Sequence, residues 1–197
     1  MRYPVEQKAE THDRIIEAAA RSFREHGSEG QGVAGLMKEA GLTHGGFYRH
    51  FTGKDDLYVD AIARGFQQTA DKMIMAAARA PHGEQLRTII ERYLSMEHLE
   101  DPGGGCVLST LAAEIARQRP AVRARINAVM KSYRERLLPF LPGRDDAEKR
   151  CRFMVLFPSM AGVLMTARAM TDPAARKEIL SAARRFYISA FAQQSSR

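Results

Sequence analysis

Apolar residues recur along the chain at three- and four-residue intervals, the spacing of one face of an α-helix, and strand-like alternation is absent. The first such segment places Ile15, Ala19 and Phe23 on one face and is followed by Gly27, a residue type that favours helix ends. Glycine and proline residues separate the later segments. The pattern predicts an all-α protein, with helices near residues 11–26, 33–40, 44–51, 53–80, 84–99, 107–118, 121–140, 145–170 and 173–192.

Two predicted helix starts and one predicted helix interior carry further signals. Thr11 is predicted to cap the first helix, and Thr52, three residues before Asp55, has the spacing of a capping box at the start of the long helix. Pro158 lies inside the helix predicted for residues 145–170. Because proline removes a backbone hydrogen bond, we expect a kink or a helix break there.

The charge of the chain is positive overall but not in its N-terminal part. The 197 residues carry 30 lysines and arginines against 23 acidic residues, a formal net charge of +7, whereas residues 1–58 carry 8 against 9. The basic excess is large over residues 117–152, with 11 lysines and arginines against 4 acidic residues, a composition typical of a solvated face. Overall charge therefore does not indicate a DNA-binding surface, and a local pattern has to do so.

Several classes of protein are disfavoured by features that the sequence lacks. No apolar run reaches the roughly 18 residues of a membrane helix, and the polar start of the chain lacks the apolar core of a signal peptide, so we expect a cytoplasmic protein. Two cysteines, Cys106 and Cys151, supply neither a disulfide framework nor a four-ligand zinc site. No nucleotide-binding, serine-hydrolase or zinc-protease motif is present, so we expect no catalytic residues, no cofactor and no metal site.

The segment from Val33 to Phe51 has the pattern of a helix-turn-helix. Two helices this short need a tight turn and a shared core. Gly41, Leu42 and Thr43 supply a turn residue, an apolar contact and a cap for the second helix. In such motifs the second helix enters the major groove of DNA. A helical hairpin of the core with incidental polar residues is the alternative that this pattern alone leaves open.

Helical phase divides the second helix of this motif into a core face and an exposed face. Phe47 and Phe51 are four residues apart and are predicted to pack inside, which places Gly45 and Arg49 on the opposite face. Arg49 is the candidate for a bidentate contact with a guanine. Gly46 and Tyr48 flank Gly45 and Arg49 on the exposed face. The residues that we expect near phosphates or flanking bases are Thr43, His44, Tyr48 and His50, and Lys54 is expected near a phosphate at a helix start.

Residues 11–60 resemble the DNA-binding domain of the tetracycline-repressor (TetR) family of bacterial transcriptional regulators. The matching residues are Ala18-Ala19, Phe23 and Gly27, then Ala40-Gly41-Leu42-Thr43, then Phe47-Tyr48-Arg49-His50-Phe51, and finally Lys54-Asp55-Asp56-Leu57. The resemblance implies an all-α homodimer of about nine helices, with a helix-turn-helix DNA-binding domain over residues 1–56 and a ligand-binding and dimerisation domain over residues 57–197. It also implies phosphate contacts from Tyr48, His50 and Lys54. Gly32 departs from the family, in which serine or threonine commonly precedes the second helix.

The function that the resemblance implies is repression of transcription, with a small molecule releasing the protein from a palindromic operator in double-stranded DNA. A helical interaction module that no longer binds DNA is disfavoured, because Tyr48, Arg49, His50 and Lys54 are all present. Residues 105–117 resemble the sixth helix of one large subgroup, and some relatives sense electrophiles or oxidants through a cysteine near this position. A repressor that senses through Cys106, predicted to begin a helix, is therefore the alternative.

The last two predicted helices carry apolar residues at helical spacing, among them Phe153, Leu156 and Met160 in the first and Phe186 and Phe191 in the second. We predict that they form the homodimer interface, the alternative being that they complete the core of one subunit. A pocket for the small-molecule inducer is predicted between the long helix and the helices that follow it. Its candidate lining residues are Phe66, Met73, Tyr93, Met96, Cys106, Met130, Tyr133, Phe153 and Phe157.

Overall fold

The computed structural model describes residues 5–30 and 32–192, without the side chains of residues 5, 6 and 44. The α-helices of these residues are α1 (Val5–His26), α2 (Val33–Glu39), α3 (Lys54–Ala78), α4 (Gln85–Tyr93), α5 (Met96–Glu100), α6 (Leu108–Arg117), α7 (Pro120–Leu137), α8 (Asp146–Ala169) and α9 (Pro173–Tyr187). Short 3-10 segments cover His44–Arg49 and Leu138–Phe140, and a π-helical turn covers Ile188–Ala192. The described part of the chain contains no strand, so the predicted all-α fold is confirmed. None of its helices combines the length and the hydropathy that crossing a membrane requires.

Three helix predictions were wrong: one in where the helix begins, one in its continuity and one in its helix type. Helix α1 begins at Val5, so Thr11 lies inside the helix and does not cap it. The helix predicted over residues 84–99 is divided into α4 and α5, because Leu94 leaves the helical conformation with φ −96° and ψ 38°. The Ser95 hydroxyl then caps α5 by accepting a hydrogen bond from the His98 N–H at 3.1 Å. The segment predicted as an α-helix over residues 44–51 is instead a 3-10 helix over His44–Arg49, six residues long.

Two further local predictions have clear outcomes. The capping box at the start of α3 does not form, since the N-cap is Gly53 and the Thr52 hydroxyl donates to the carboxylate of Asp56. This hydrogen bond, together with one from Arg125, holds the pKa of Asp56 below its usual value. The expected break at Pro158 does not occur, because α8 is continuous from Asp146 to Ala169.

Helix α3 lies at the centre of the fold and packs against α1, α4 and α7. Its residues Ile62, Phe66 and Ala70 are buried and belong to one connected apolar core that extends from α1 to α9. The first turn of α3 lies next to the helix-turn-helix, and its middle lies among the C-terminal helices. A displacement of the middle of α3 would therefore also change the position of its first turn.

A buried arginine ties α1 and α3 to the loop before α6. Arg24 of α1 is only 4% exposed, and its guanidinium donates to the Gly105 carbonyl at 3.3 Å and to Gln68 Oε1 of α3 at 2.7 Å. Burial lowers the pKa of Arg24. A Cβ atom at Gly65 would lie 2.8 Å from the Arg24 guanidinium and 2.6 Å from Val107, so glycine is required for this close approach.

His98 joins α5 to the residues that lead into α6. Its Nε2 accepts the Cys106 N–H at 2.9 Å, and its Nδ1 lies 2.6 Å from the Tyr93 carbonyl oxygen. Since Nε2 accepts, the proton of the neutral ring must be on Nδ1, which donates to Tyr93. Arg168 of α8 also donates to the His98 carbonyl at 2.8 Å. Burial lowers the pKa of His98 to about 4.

We expect the His98 side chain to make the fold less stable in mild acid. Its pKa is about 4 in the folded chain and about 6.5 in the unfolded chain, so between these values the unfolded chain binds more protons. The contribution of His98 to the free energy of unfolding is therefore fully present well above pH 6.5 and is lost as the pH is lowered towards 4. We expect the free energy of unfolding to fall by about 2 kcal/mol between pH 7 and pH 5. Urea unfolding of the wild type and of His98→Gln at one protein concentration measures this loss. The glutamine amide can still accept the Cys106 N–H but does not titrate, so an equal pH dependence in the two proteins would contradict the assignment.

Candidate DNA-binding surface and ligand cavity

The 3-10 helix His44–Arg49 is here called the reading segment. The turn that joins it to α2 is closed by backbone hydrogen bonds. Gly41 has a φ of 73°, a conformation that favours glycine, as the sequence predicted. The N–H groups of Gly41 and Leu42 donate to the carbonyls of Lys38 and Met37 at 3.0 and 2.8 Å. The turn therefore fixes the direction in which the reading segment leaves α2.

Two buried aromatic rings hold the reading segment against the domain. Phe47 and Phe51 are 2% and 4% exposed, and their rings stack with centroids 5.4 Å apart. The ring of His12 in α1 stacks on Phe51 at 4.7 Å. The predicted core face is therefore confirmed, although the backbone between the two phenylalanines is a 3-10 helix. A segment anchored in this way presents its other side chains in fixed directions.

The opposite side of the reading segment is open. Tyr48 is 70% exposed, with the edge of its ring against Phe47, and Arg49 is exposed as well. A Cβ atom at Gly45 would meet nothing within 4 Å, whereas one at Gly46 would lie 3.5 Å from the Met37 methyl group. Gly45 thus lies on the open side, and Gly46 faces α2. The bare backbone at Gly45 permits close approach of another molecule.

The remaining predicted DNA-contacting residues have different environments. Thr43 is exposed, but its hydroxyl makes no capping hydrogen bond, contrary to the prediction. Lys54 is exposed at the first position of α3. His50 is half-buried, and its buried Nδ1 has no hydrogen-bond partner among the described residues. Burial, and to a smaller extent neighbouring positive charges, lowers the pKa of His50. The side chain of His44 lies outside the described part of the structure.

A cavity of about 230 Å³ lies between α3, α7 and α8, beside the start of α6. Of the residues predicted to bind a ligand, it brings together Phe66, Met130, Tyr133, Phe153 and Phe157. The sequence analysis missed the other lining residues, which are Leu108, Asn127, Lys131, Arg134, Met154 and Pro158. No chemical motif marks these residues in the sequence, because only the packing of three helices decides which positions of α7 face the cavity.

Aromatic rings form much of the cavity wall. Phe153 and Phe157, one turn apart on α8, stack with centroids 4.4 Å apart, and Tyr133 meets Phe157 edge-on at 6.2 Å. Phe66 lies 5.0 Å from the Tyr133 ring. Burial raises the pKa of Tyr133 well above its usual value, so its hydroxyl is neutral, and it lies 4.0 Å from the sulfur of Met73. The wall therefore provides flat apolar surface.

Four of the predicted ligand-binding residues lie outside this cavity. Met73 and Tyr93 line a second, smaller cavity of about 40 Å³ between α3, α4 and α5. Met96 is partly buried against the core, and Cys106 is 2% exposed; neither lines either cavity. Cys106 also precedes α6, which begins at Leu108, so it does not begin the helix as predicted.

Polar side chains of α6, and of α7 and the residue before it, contact the DNA-binding end of the molecule, and the sequence analysis did not predict these contacts. Glu114 of α6 accepts hydrogen bonds from the N–H and the hydroxyl of Ser28, just after α1, at 3.0 and 2.6 Å. Arg119 pairs with Asp55, and Arg125 of α7 pairs with Asp56 at 2.6 Å. These partners are 64 to 86 residues apart, and no local pattern could pair them.

The outer surfaces of α8 and α9 expose large apolar residues. Met154, Val155 and Met165 of α8 are 55–60% exposed, and Phe186 of α9 is 66% exposed. The α8 positions named above for the interface, Phe153, Leu156 and Met160, are instead buried within the subunit. Residues 153–167 of α8 carry no charged side chain on any side of the helix, so the sequence did not distinguish the core face from the outer face.

The fold and the exposed reading segment together define a helix-turn-helix DNA-binding protein with a C-terminal helical domain. Comparisons with known proteins agree. Residues 15–61 match the bacterial regulatory proteins of the tetR family, and residues 83–183 match the tetracyclin repressor-like C-terminal domain. The chain therefore belongs to the tetracycline-repressor family, whose members are DNA-binding transcriptional regulators rather than enzymes, act as dimers and bind small-molecule ligands.

Three individual relatives share 25% sequence identity or less with this chain. The fatty acid metabolism regulator protein of Bacillus subtilis (strain 168) is 25% identical over 130 residues, which cover 66% of this chain and 65% of that protein, slightly less than two thirds of its length. A TetR transcriptional regulator from Chloroflexus aurantiacus J-10-FL has the same fold, with a TM-score of 0.72 and 23% identity over 94% of this chain and 97% of that chain. FadR from Bacillus subtilis in complex with stearoyl-CoA has a TM-score of 0.62 and 20% identity over 87% and 96% of the two chains.

Proposed function

We propose that this protein is a ligand-responsive repressor that two reading segments hold on a palindromic operator and that a small molecule releases. The observation that carries the proposal is the reading segment itself. Tyr48 and Arg49 project from a backbone that buried Phe47 and Phe51 fix in place. Long polar side chains held so rigidly at the surface suit recognition of a partner better than stabilisation of the fold.

In this proposal the side chains of the reading segment divide their roles. Arg49 donates two hydrogen bonds to a guanine edge in the major groove, and bare Gly45 lets the backbone approach the groove. Tyr48, Lys54 and Thr43 contact phosphates, which set the position of the segment on the duplex. The further predicted contacts are Gly46, His44 and His50. Since no acidic residue lies between Ala40 and Lys54, this surface is locally basic.

We further propose that residues 1–56 bind DNA and residues 57–197 bind the ligand and form the dimer through α8 and α9. The exposed Met154, Val155, Met165 and Phe186 supply an apolar surface for a second copy of the chain. Dimerisation would set two reading segments about 34–36 Å apart, one turn of DNA. A regulator of transcription acts where the chromosome lies, so the cytoplasm remains the proposed location.

Release by a ligand requires that the ligand bind one arrangement of the reading segments better than the other. Phe66 of α3 lines the 230 Å³ cavity, and Asp55 and Asp56 at the start of the same helix pair with Arg119 and Arg125. A ligand that displaces α3 or α7 would therefore change the position of the DNA-binding end. The stearoyl-CoA complex of the Bacillus subtilis FadR supports a small-molecule site in this domain.

Sensing through Cys106 remains the second candidate. It is supported by a cation close to the cysteine in the fold, since the Arg24 guanidinium donates to the carbonyl of Gly105, the residue before Cys106, at 3.3 Å. It is opposed by the 2% exposure of the cysteine. A Cys106→Ser variant that still responds to a non-reactive inducer would support the ligand mechanism.

The proposal is tested by selecting bound sequences from random double-stranded DNA with the whole protein. We expect the selected sequences to converge on an inverted repeat with half-sites centred about one helical turn apart and with a guanine in each half. Convergence on a single half-site, or no convergence above a non-specific background, would contradict a dimeric repressor.

A further inference from the structure

The residues around the 230 Å³ cavity divide into two chemical groups. Its apolar lining consists of Phe66, Leu108, Met130, Tyr133, Phe153, Met154, Phe157 and Pro158. Its polar lining consists of Asn127, Lys131 and Arg134, all on α7. No aspartate or glutamate is among these lining residues, which all belong to the described part of the chain. An occupant would therefore meet flat apolar walls and, on one side, positive charge and an amide.

The two cations are able to take a new partner. Lys131 is exposed, and it forms no hydrogen bond or ion pair within residues 5–30 and 32–192. Arg134 has a 23% exposed side chain and uses Nε and Nη2 to bond Glu135 Oε1 at 3.2 and 2.9 Å. Exposed pairs of this kind are weak, so an anion in the cavity can compete with Glu135.

The size of the cavity limits the occupant. An apolar cavity of about 150 Å³ admits a benzene ring, and sites for drug-sized molecules begin at about 300 Å³. A cavity of about 230 Å³ therefore suits one ring with a short substituent, or a short chain. A long acyl chain would not fit without displacement of its walls.

We propose that the inducer is a small organic carboxylate with a one-ring apolar body, whose ring lies against Phe153 and Phe157 and whose carboxylate binds Lys131 and Arg134. This inference rests on the proposed ligand-responsive function and names the class of ligand. An amphipathic cation would place its charge near two cations with no lining carboxylate to pair with. A neutral analogue would fill the walls but would leave the charged side unused.

Three probes of the same shape test the charge assignment: 4-ethylbenzoate, 4-ethylbenzamide and 4-ethylbenzamidine, which carry charges of −1, 0 and +1. We expect isothermal titration of the full-length protein to give an affinity for the benzoate at least about tenfold above that for the amide, and the weakest binding for the amidine. Octadecanoate has the same charge on a long chain and should bind more weakly than 4-ethylbenzoate. Equal or tighter binding of the amidine, of the amide or of octadecanoate overturns the proposal, and so does the absence of benzoate binding at millimolar concentration.

Variants locate the charge preference. The double variant Lys131→Gln, Arg134→Gln should bind the benzoate and the amide equally. The matched control Arg117→Gln, Arg123→Gln removes the same net charge from two exposed positions that do not line the cavity, and it should keep the preference. Preference that survives in the first variant, or that disappears in the control, contradicts a site at these side chains.

Operator release is measured separately, by fluorescence anisotropy of labelled operator. If 4-ethylbenzoate binds with the expected preference but does not release DNA, the ligand class stands and the repressor mechanism fails. If another compound releases the DNA while the benzoate shows no preference over its analogues, the mechanism stands and the carboxylate assignment fails.

Discussion

Replacement of Arg49 by alanine is expected to remove sequence-specific operator binding without altering the fold. Arg49 is exposed on a segment whose stability comes from buried Phe47 and Phe51. A bidentate contact with guanine contributes about 1–3 kcal/mol, and a dimer loses it twice. The operator affinity should therefore fall between about 30-fold and about 20,000-fold, as measured by fluorescence anisotropy at one salt concentration.

A control separates base recognition from general loss of charge. Arg123 is exposed on α7 and is remote in sequence from the reading segment, so Arg123→Ala removes the same charge without removing the contact. We expect Arg49→Ala to bind operator and scrambled DNA with similar affinity, whereas Arg123→Ala should still prefer the operator. If both variants lost affinity to the same degree and kept the same preference, Arg49 would not read a base.

Substitution of Met165 by glutamate is expected to separate the dimer into subunits. In the proposed interface this exposed side chain of α8 would be buried against the second copy. An unpaired carboxylate buried there costs about 3 kcal/mol or more, and the symmetric dimer buries two. The dimer dissociation constant should therefore rise by about 20,000-fold or more. Light scattering at micromolar concentration should then give 22.0 kDa, the mass of one chain, rather than twice that value.

Met75 offers a matched control for this substitution. It is the same residue type with nearly the same exposure, 55% against 56% for Met165, but it lies on α3 rather than on α8. Met75→Glu should remain a dimer and bind the operator as the wild type does. If Met165→Glu also stayed a dimer, or if both variants dissociated, the interface would have to be assigned elsewhere.

The features that the sequence predicted correctly are those determined by residues that lie close together in the chain. The burial of Phe47 and Phe51 followed from their spacing, and the positive φ of Gly41 followed from the need for a tight turn. The all-α fold followed from a periodicity that extends over the whole chain. Each of these properties is fixed within a few residues, where propensity and phase are informative.

Properties that depend on distant parts of the chain could not be predicted in the same way. Glu114 bonds Ser28, and Lys131 lines a cavity, only because α6 and α7 pack where they do. On α8 the buried Phe153 and the exposed Met154 are neighbours in sequence and similar in hydropathy, so the pattern could not assign one to the core and the other to the surface. Cap residues failed for a related reason: Thr11 has the right chemistry for a cap, but the helix around it continues to Val5.

The two adjacent glycines of the reading segment have a thermodynamic consequence for the DNA-binding domain. Glycine loses more backbone freedom than any other residue when it is ordered, and a six-residue 3-10 helix has few internal bonds to offset that loss. The buried rings of Phe47 and Phe51 already hold both glycines in place in the free protein. The entropy loss therefore lowers the stability of the DNA-binding domain rather than the affinity for the operator, because no further ordering of the segment is needed when DNA binds.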